Sequence, residues 1–342
     1  MTDITVMGAG IFGLAIAWAC ARRGARVRVI DPRGPGAGAS GGVVGALAPH
    51  VPENWNDKKA FQFDSLVMAQ GFWAGVAEAG GVSPGYARAG RIQPVADAAA
   101  LARARAREES AAALWQGKAA WQVEEARGDW CPASATGHVI RDTLSARLHP
   151  RRACAALVAA LRERGAEVVR DGPSEGRILW ATGVAGLAEL SAATGRPVGN
   201  GVKGQAALLA FDAREMPQVF ADGVHIVPHA DGTVAVGSTS ERDYAHATAT
   251  DAQLDAVIAA ARAALPVLAQ APVIECWAGL RPRTRSRAPM LGGHPLRAGQ
   301  FIANGGFKIG FGMAPKVAEV MADLMLDGID RIPDGFRPER SL

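Results

Sequence analysis

The alternation of apolar and polar positions is most compact at the start of the chain. Ile4-Thr5-Val6-Met7 is a β-branched run that predicts a short strand, and it breaks off at Gly8-Ala9-Gly10-Ile11-Phe12-Gly13. From Leu14 to Arg23 the side chains are helix-forming and mostly apolar, and Gly24 supplies a helix stop. Arg26-Val27-Arg28-Val29-Ile30 then reads as a second strand, closed by Asp31. Farther along, Ala98 to Leu114 and Asp251 to Leu268 carry the spacing of amphipathic helices. Ala230-Asp231-Gly232 sits between two β-branched runs, which is the signature of a hairpin.

Strand, glycine turn, helix, strand and terminal acid in this order predict a dinucleotide site. Gly8 allows the tight turn, Gly10 lets backbone approach a pyrophosphate, and Gly13 permits close helix–strand packing. The helix N-terminus offers unpaired N–H groups to phosphates, and Asp31 can accept hydrogen bonds from a ribose hydroxyl. This unit alone does not separate NAD from FAD.

Composition narrows the classes. With 342 residues, 49% hydrophobic and 20% charged, the chain can bury a sizeable core. The net charge of +4 is dispersed and contains no basic block. It could help to attract an anionic substrate or cofactor, and nucleic acid is not an expected partner on this ground. Cys20, Cys131, Cys154 and Cys276 lie far apart, without metal-ligand spacing or a disulfide framework, so no metal is expected and a reducing compartment is. Two glycines and a strand pattern interrupt the apolar N-terminus before it resembles a signal peptide. No apolar run reaches 18 residues, so the expectation is a cytoplasmic protein with no membrane partner.

The stretch from Gly36 to Pro49, Gly-Ala-Gly-Ala-Ser-Gly-Gly-Val-Val-Gly-Ala-Leu-Ala-Pro, has almost no side-chain bulk. Such a backbone can run close against a flat, extended ligand. Here the chain resembles the FAD-dependent amino acid oxidase (DAO) family, and it is nearest to glycine oxidases. The resemblance continues in order through Leu148-His149-Pro150-Arg151-Arg152, which opens a helix from Ala153 to Arg164, and through Ala166-Glu167-Val168-Val169. Ile178-Leu179-Trp180-Ala181-Thr182-Gly183 resembles the strand that returns to the cofactor, and Val202-Lys203-Gly204-Gln205 looks like the family's Lys/Arg-Gly-Gln turn. His225-Ile226-Val227-Pro228 with Val236-Gly237-Ser238-Thr239 is similar to the hairpin lining the substrate pocket. Trp277-Ala278-Gly279-Leu280-Arg281-Pro282 is the best match, followed by Pro289-Met290-Leu291-Gly292 and by Ala303 to Gly310.

The resemblance implies an α/β composite fold: a Rossmann-like FAD-binding domain with a parallel sheet, and a substrate domain with an antiparallel sheet. Flavin-domain pieces occur at the start, middle and end, so the expected layout is a discontinuous domain of about 1–85, 145–200 and 275–342. The substrate domain then takes about 86–144 and 201–274, and the Arg/Pro-rich tail from Arg331 is expected to be an exposed end. Besides the glycine turn and Asp31, the implied cofactor contacts are Ser40, Gly41, Gly42, Val168, Ala181, Gly183, Gly306, Lys308, Ile309, Gly310 and Phe311. No cysteine stands where related sarcosine oxidases attach their flavin, which favours non-covalent FAD.

Amine oxidation by a flavin needs a neutral amine aimed at the ring, and an α-amino acid also needs a counter-charge for its carboxylate. Arg281 matches the family's carboxylate-binding arginine, with Arg283, Arg285 and Arg287 close by on alternate positions. His225 departs from the family, which usually has a tyrosine here; it could donate the same bond, accept a proton from the substrate ammonium, or be an ordinary strand histidine. That change puts glycine as the substrate in doubt. Lys308 replaces an arginine and could aid reaction with oxygen, or be a surface lysine. His50 closes the glycine-rich loop without further distinction, and Trp277 reads as a packing residue.

The function expected is oxidation of the C–N bond of a small amine or amino acid by hydride transfer to flavin N5, with molecular oxygen as acceptor. Two alternatives share the fold: an oxidase acting on a glycine-like modification of tRNA, slightly favoured by the basic pI and Trp130-Cys131-Pro132-Ala133, and a dehydrogenase passing electrons to a quinone or carrier. A flavin protein without turnover and an NAD-linked dehydrogenase follow, and a homo-oligomer stays open.

Overall fold

The computed structural model describes residues 2–342. Its first sheet has six strands in the order Met290–Gly293, Phe301–Asn304, Arg177–Trp180, Ile4–Met7, Val27–Ile30 and Glu167–Val169. All neighbours run parallel except the edge pair Met290–Gly293 and Phe301–Asn304. The central strand is buried on both faces, with Ile4 and Val6 fully inaccessible, as parallel sheets require. Helix Ile11–Arg22 follows it, and ten of its twelve residues are buried against helices Gly310–Ala322 and Pro150–Glu163. A helix the sequence pattern did not single out, Asp57–Gly80, packs on the same two, between an Asn56 cap that accepts from the Lys59 N–H and a left-handed Gly81.

The second sheet has eight strands: Val273–Thr284, Gly199–Ala210, Thr233–Gly237, Val224–Pro228, Gln218–Ala221, Arg91–Pro94, His138–Asp142 and Trp121–Glu125. It is antiparallel apart from the pairing of Gln218–Ala221 with Arg91–Pro94. Val219, Ile226, Val234 and Val236 turn one face toward helix Ala252–Ala264. The Asp231-Gly232 hairpin forms as expected, with Gly232 at φ +84°. The expected helix to Leu268 ends at Ala264, before a separate turn led by Pro266, whose ring cannot continue it.

Three expectations are corrected. Val202-Lys203-Gly204-Gln205 is no turn; it lies inside the twelve-residue strand Gly199–Ala210, paired on both sides. Val273–Thr284, counted with the cofactor-binding pieces, pairs along its length with that strand and so belongs to the eight-stranded sheet. The tail from Arg331 is folded back: Phe336 is 1% exposed, edge-on to Phe61 at 5.0 Å between centroids, and Arg337 pairs with Asp330 at 2.8 Å. Burying an aromatic ring outweighs the polar character of its neighbours.

Candidate active site

The glycine turn is built from backbone packed on backbone. A Cβ on Gly13 would fall on the Gly8 carbonyl, and one on Gly8, itself at φ +109°, would fall on the Ala181 carbonyl. Strand Arg177–Trp180 thus meets the turn at the point where the helix begins. Gly10 caps that helix with no side chain, and the Ser40 hydroxyl accepts the Ile11 N–H at 2.9 Å. The other first-turn N–H groups have no partner within the helix. Asp31 accepts from Ala9 N–H at 2.9 Å through one oxygen and from Arg33 N–H at 3.0 Å through the other, so it fixes the turn and still presents lone pairs.

A cavity of about 530 Å³ opens beside these groups. Its walls include Asp31, Ser40, Gly42 to Ala46, Ala181 to Ala185, Trp277 to Pro282 and Ala303 to Lys308. The glycine-rich loop forms a flat wall: a Cβ on Gly45 would fall on the Leu148 carbonyl, and one on Gly42 would come within 3.3 Å of the Trp277 ring. Trp277 therefore both packs on the loop and faces the cavity.

The charged wall belongs to the eight-stranded sheet. Arg281 donates from one terminal nitrogen to the Thr239 carbonyl at 3.1 Å and from the other to the Ser238 hydroxyl at 2.6 Å. Its guanidinium occupies the space where a Gly204 side chain would stand, because the two strands lie in register and Gly204 has nothing on that face. On the opposite face of the same strand, Lys203 is buried between Glu241 at 3.3 Å and Asp251 at 3.0 Å, and Gln205 bonds both carboxylates. Glu241 is thus bonded elsewhere; its charge still reaches Arg281, which forms no ion pair with an acid among the described residues. Burial lowers its pKa to about 10, which leaves it charged at neutral pH.

Lys308 completes this wall, whereas His225 is not among the lining residues. Lys308 lines the cavity, and burial together with Arg281 and Arg283 holds its pKa below the usual lysine range. His225 stands just behind, its ring 4.6 Å from that of Phe220 and its Nδ1 buried without a partner. Burial, then the charges of Arg91, Lys308 and Arg281, push its pKa down to about 3, so it is neutral.

The sequence-derived residues fall into two sets. Gly10, Asp31, Ser40, Gly42, Ala181 and Gly183 line the cavity, as do Gly306, Lys308, Gly310, Phe311 and Arg281. Gly8, Gly13 and Gly41 act from behind, each pressed against a carbonyl. Val168 and Ile309 are not among the lining residues; Val168 pairs with Val29, and it is the next residue's carbonyl, Val169, that binds the Asp31 N–H. His50 is turned aside by a hydrogen bond to Gln62. Ser238, Thr239 and Gly204 were quoted only as parts of motifs; their task of seating Arg281 has no signal in the sequence, since it depends on register. No cluster of three metal-ligating side chains occurs among the described residues, and no helix is long and apolar enough to cross a membrane.

A cavity of this kind, with an open helix terminus and a carboxylate in one part and a guanidinium without an ion pair in another, suits a dinucleotide. The chain belongs to the FAD dependent oxidoreductase (DAO) family, whose model it matches over residues 3–324. It is similar to the glycine oxidase of Bacillus licheniformis, 26% identical over 95% of this chain and 93% of that one. In structure it is similar to glycine oxidase from Geobacillus kaustophilus, with a TM-score of 0.82, 21% identity and 98% of each chain covered. L-amino acid deaminase from Proteus vulgaris gives a TM-score of 0.81 at 15% identity, over 99% of this chain and 97% of that one. These two structural likenesses concern the fold. Proteins of the family use FAD, and the residues above fit it: the open helix terminus suits a pyrophosphate, Asp31 a ribose, and the flat loop a ring system.

Proposed function

We propose that this chain is an oxidase that removes two hydrogens across the C–N bond of a small amino acid or amine, with FAD held non-covalently and oxygen as the electron acceptor. The carrying observation is Arg281, a charged guanidinium facing the cavity, oriented by Ser238 and Thr239 and free of any protein carboxylate. A guanidinium so placed can hold a carboxylate through its remaining N–H groups and so fix the α-carbon. FAD supplies the hydride acceptor that this chemistry requires. His225, neutral and with a free ring nitrogen, sits in the field of Arg281 and Lys308. An arriving carboxylate offsets that field and so raises the proton affinity of His225, which acts from outside the lining residues. Non-covalent retention is supported by cavity walls that contain no cysteine among the described residues. The four free cysteines suit a cytoplasmic setting.

An anaerobic screen of amino acids and N-methylated amines tests the proposal, scored by loss of the flavin's visible absorbance. Bleaching by carboxylate-bearing amines, with peroxide formed when air returns, is expected. Failure of every amine to bleach the flavin overturns the reading. Bleaching with reoxidation only by a quinone or carrier overturns the choice of acceptor.

A further inference from the structure

More positive charge gathers at the cavity than one carboxylate requires: Arg281 and Lys308 line it, and Arg283, which is not a lining residue, acts on Lys308 from beside it. Arg283 stands two residues beyond Arg281 in the same strand, and so on the same face. Its guanidinium lies 5.6 Å from the centroid of the Phe307 ring, and the Lys308 ammonium lies 5.8 Å from that centroid. Phe307 is held beside both: its backbone is left-handed at φ +44°, and its N–H donates to the Pro282 carbonyl at 3.1 Å. The charges that act on Lys308 are those of Arg281 and Arg283, and those that act on Arg283 are Arg287 and Arg242, every one positive. Some arginines of the molecule do find an acid, as Arg91 does in Asp142 at 2.9 Å and Arg107 in Glu53 at 2.7 Å. An exposed ammonium on the cavity wall beside two guanidinium groups, with only positive charges acting on it, leaves a site that the negative charge of a ligand would complete.

We propose that the substrate is a dicarboxylic amine, with its α-carboxylate on Arg281 and its second carboxylate received by Lys308 and Arg283 beside the Phe307 ring. The claim rests on the amine-oxidising reading above and narrows it. Arg242 and Arg287, farther out, add a field that draws a dianion toward the opening.

The test uses the FAD-loaded protein and amine-free probes, read by the shift of the flavin's visible spectrum and by calorimetry at constant ionic strength. Succinate, glutarate and adipate are compared with butyrate. At least one dicarboxylate is expected to bind about 10-fold or more tighter than butyrate, the scale of an added charge pair in a partly desolvated site. The ratio should fall toward one in Lys308→Met and in Arg283→Met, and persist in Lys308→Arg. Equal binding of butyrate and all dicarboxylates by the parent protein overturns the proposal without any variant being made. So does a ratio unmoved by both methionine substitutions. Displacement of the probes by tRNA, with no dicarboxylate preference, overturns it in favour of a nucleic-acid ligand. If amines bleach the flavin but the preference is absent, only the second carboxylate site falls. If the preference is present and no amine bleaches the flavin, the amine-oxidising reading falls and takes the substrate claim with it.

Discussion

The two walls of the cavity reach their closeness by opposite means. Around the glycine turn, atoms are missing: Gly8, Gly13 and Gly41 each stand where a Cβ would meet a carbonyl, and the contacts are backbone to backbone. Around Arg281, long cationic side chains fill the space, and a single absent side chain, that of Gly204, makes room for them. The first wall depends on geometry that no charge can replace. The second depends on charge, held in place by hydrogen bonds to Ser238 and Thr239, and can be tuned residue by residue.

Substitutions that break each wall should therefore differ in kind as well as size. Gly13→Ala is the harshest, because the carbonyl it strikes is that of Gly8, in the turn after the buried strand Ile4–Met7, and Gly8 is itself pressed against the Ala181 carbonyl and cannot withdraw. FAD uptake by the purified protein should be lost, or the protein should fail to fold; a yellow, stable Gly13→Ala protein with parental FAD affinity would contradict the backbone picture. Arg281→Ala comes next. Loss of a charge partner in a desolvated site costs about 2–5 kcal/mol, so binding of a carboxylate ligand should weaken by roughly 30-fold to several thousand-fold while FAD stays bound. Arg281→Lys should recover only part of this, since an ammonium lacks the planar fork.

Gly204→Ala sharpens the comparison further, since it crosses from one wall's logic to the other's. The new methyl displaces the guanidinium without removing it, at a cost of about 1–3 kcal/mol. Carboxylate affinity should drop less than in Arg281→Ala, with cofactor affinity unchanged; equal affinity in the two proteins would show that Gly204 does not seat Arg281. The mildest effect is on acid stability. His225 is held at a pKa of about 3 in the fold against an ordinary 6.5, so below pH 6.5 the unfolded chain takes up a proton that the folded protein refuses. Its contribution to stability is complete above about pH 6.5 and is lost progressively as pH falls toward 3; His229, also lowered to about 3 by burial, acts in the same direction. His225→Gln should flatten the dependence of Tm on pH in that window, measured against the parent. An unchanged acid limb would show that His225 is not neutral in the parent fold.

Much of the first wall was legible in the sequence, because its information is local. A strand, three glycines, a helix and an acid within thirty-one residues describe their own geometry, and Asp31 lies where its spacing implies. The second wall was legible only as separate motifs. Arg281 and Lys308 could be named, but the contact between Arg281 and Gly204 comes from the register of two strands about seventy residues apart, which no local pattern encodes. The same non-local pairing hid the long strand through Lys203, whose Val202-Lys203-Gly204-Gln205 segment resembles the family's Lys/Arg-Gly-Gln turn. Its neighbours Glu241 and Asp251 supply the counter-charges that let a lysine lie inside a sheet. The folded tail escaped notice because one aromatic ring, Phe336, decides its fate among polar residues.

The shared volume of Gly204 and Arg281 also constrains how such a site can diverge. A residue larger than glycine at the first position evicts the guanidinium, and a smaller residue at the second leaves a void, so neither can change alone without harm. The pair behaves as a ratchet: new ligand preferences enter through Lys308 and Arg283, where replacement disturbs nothing behind, while the inner anchor is inherited as one indivisible unit.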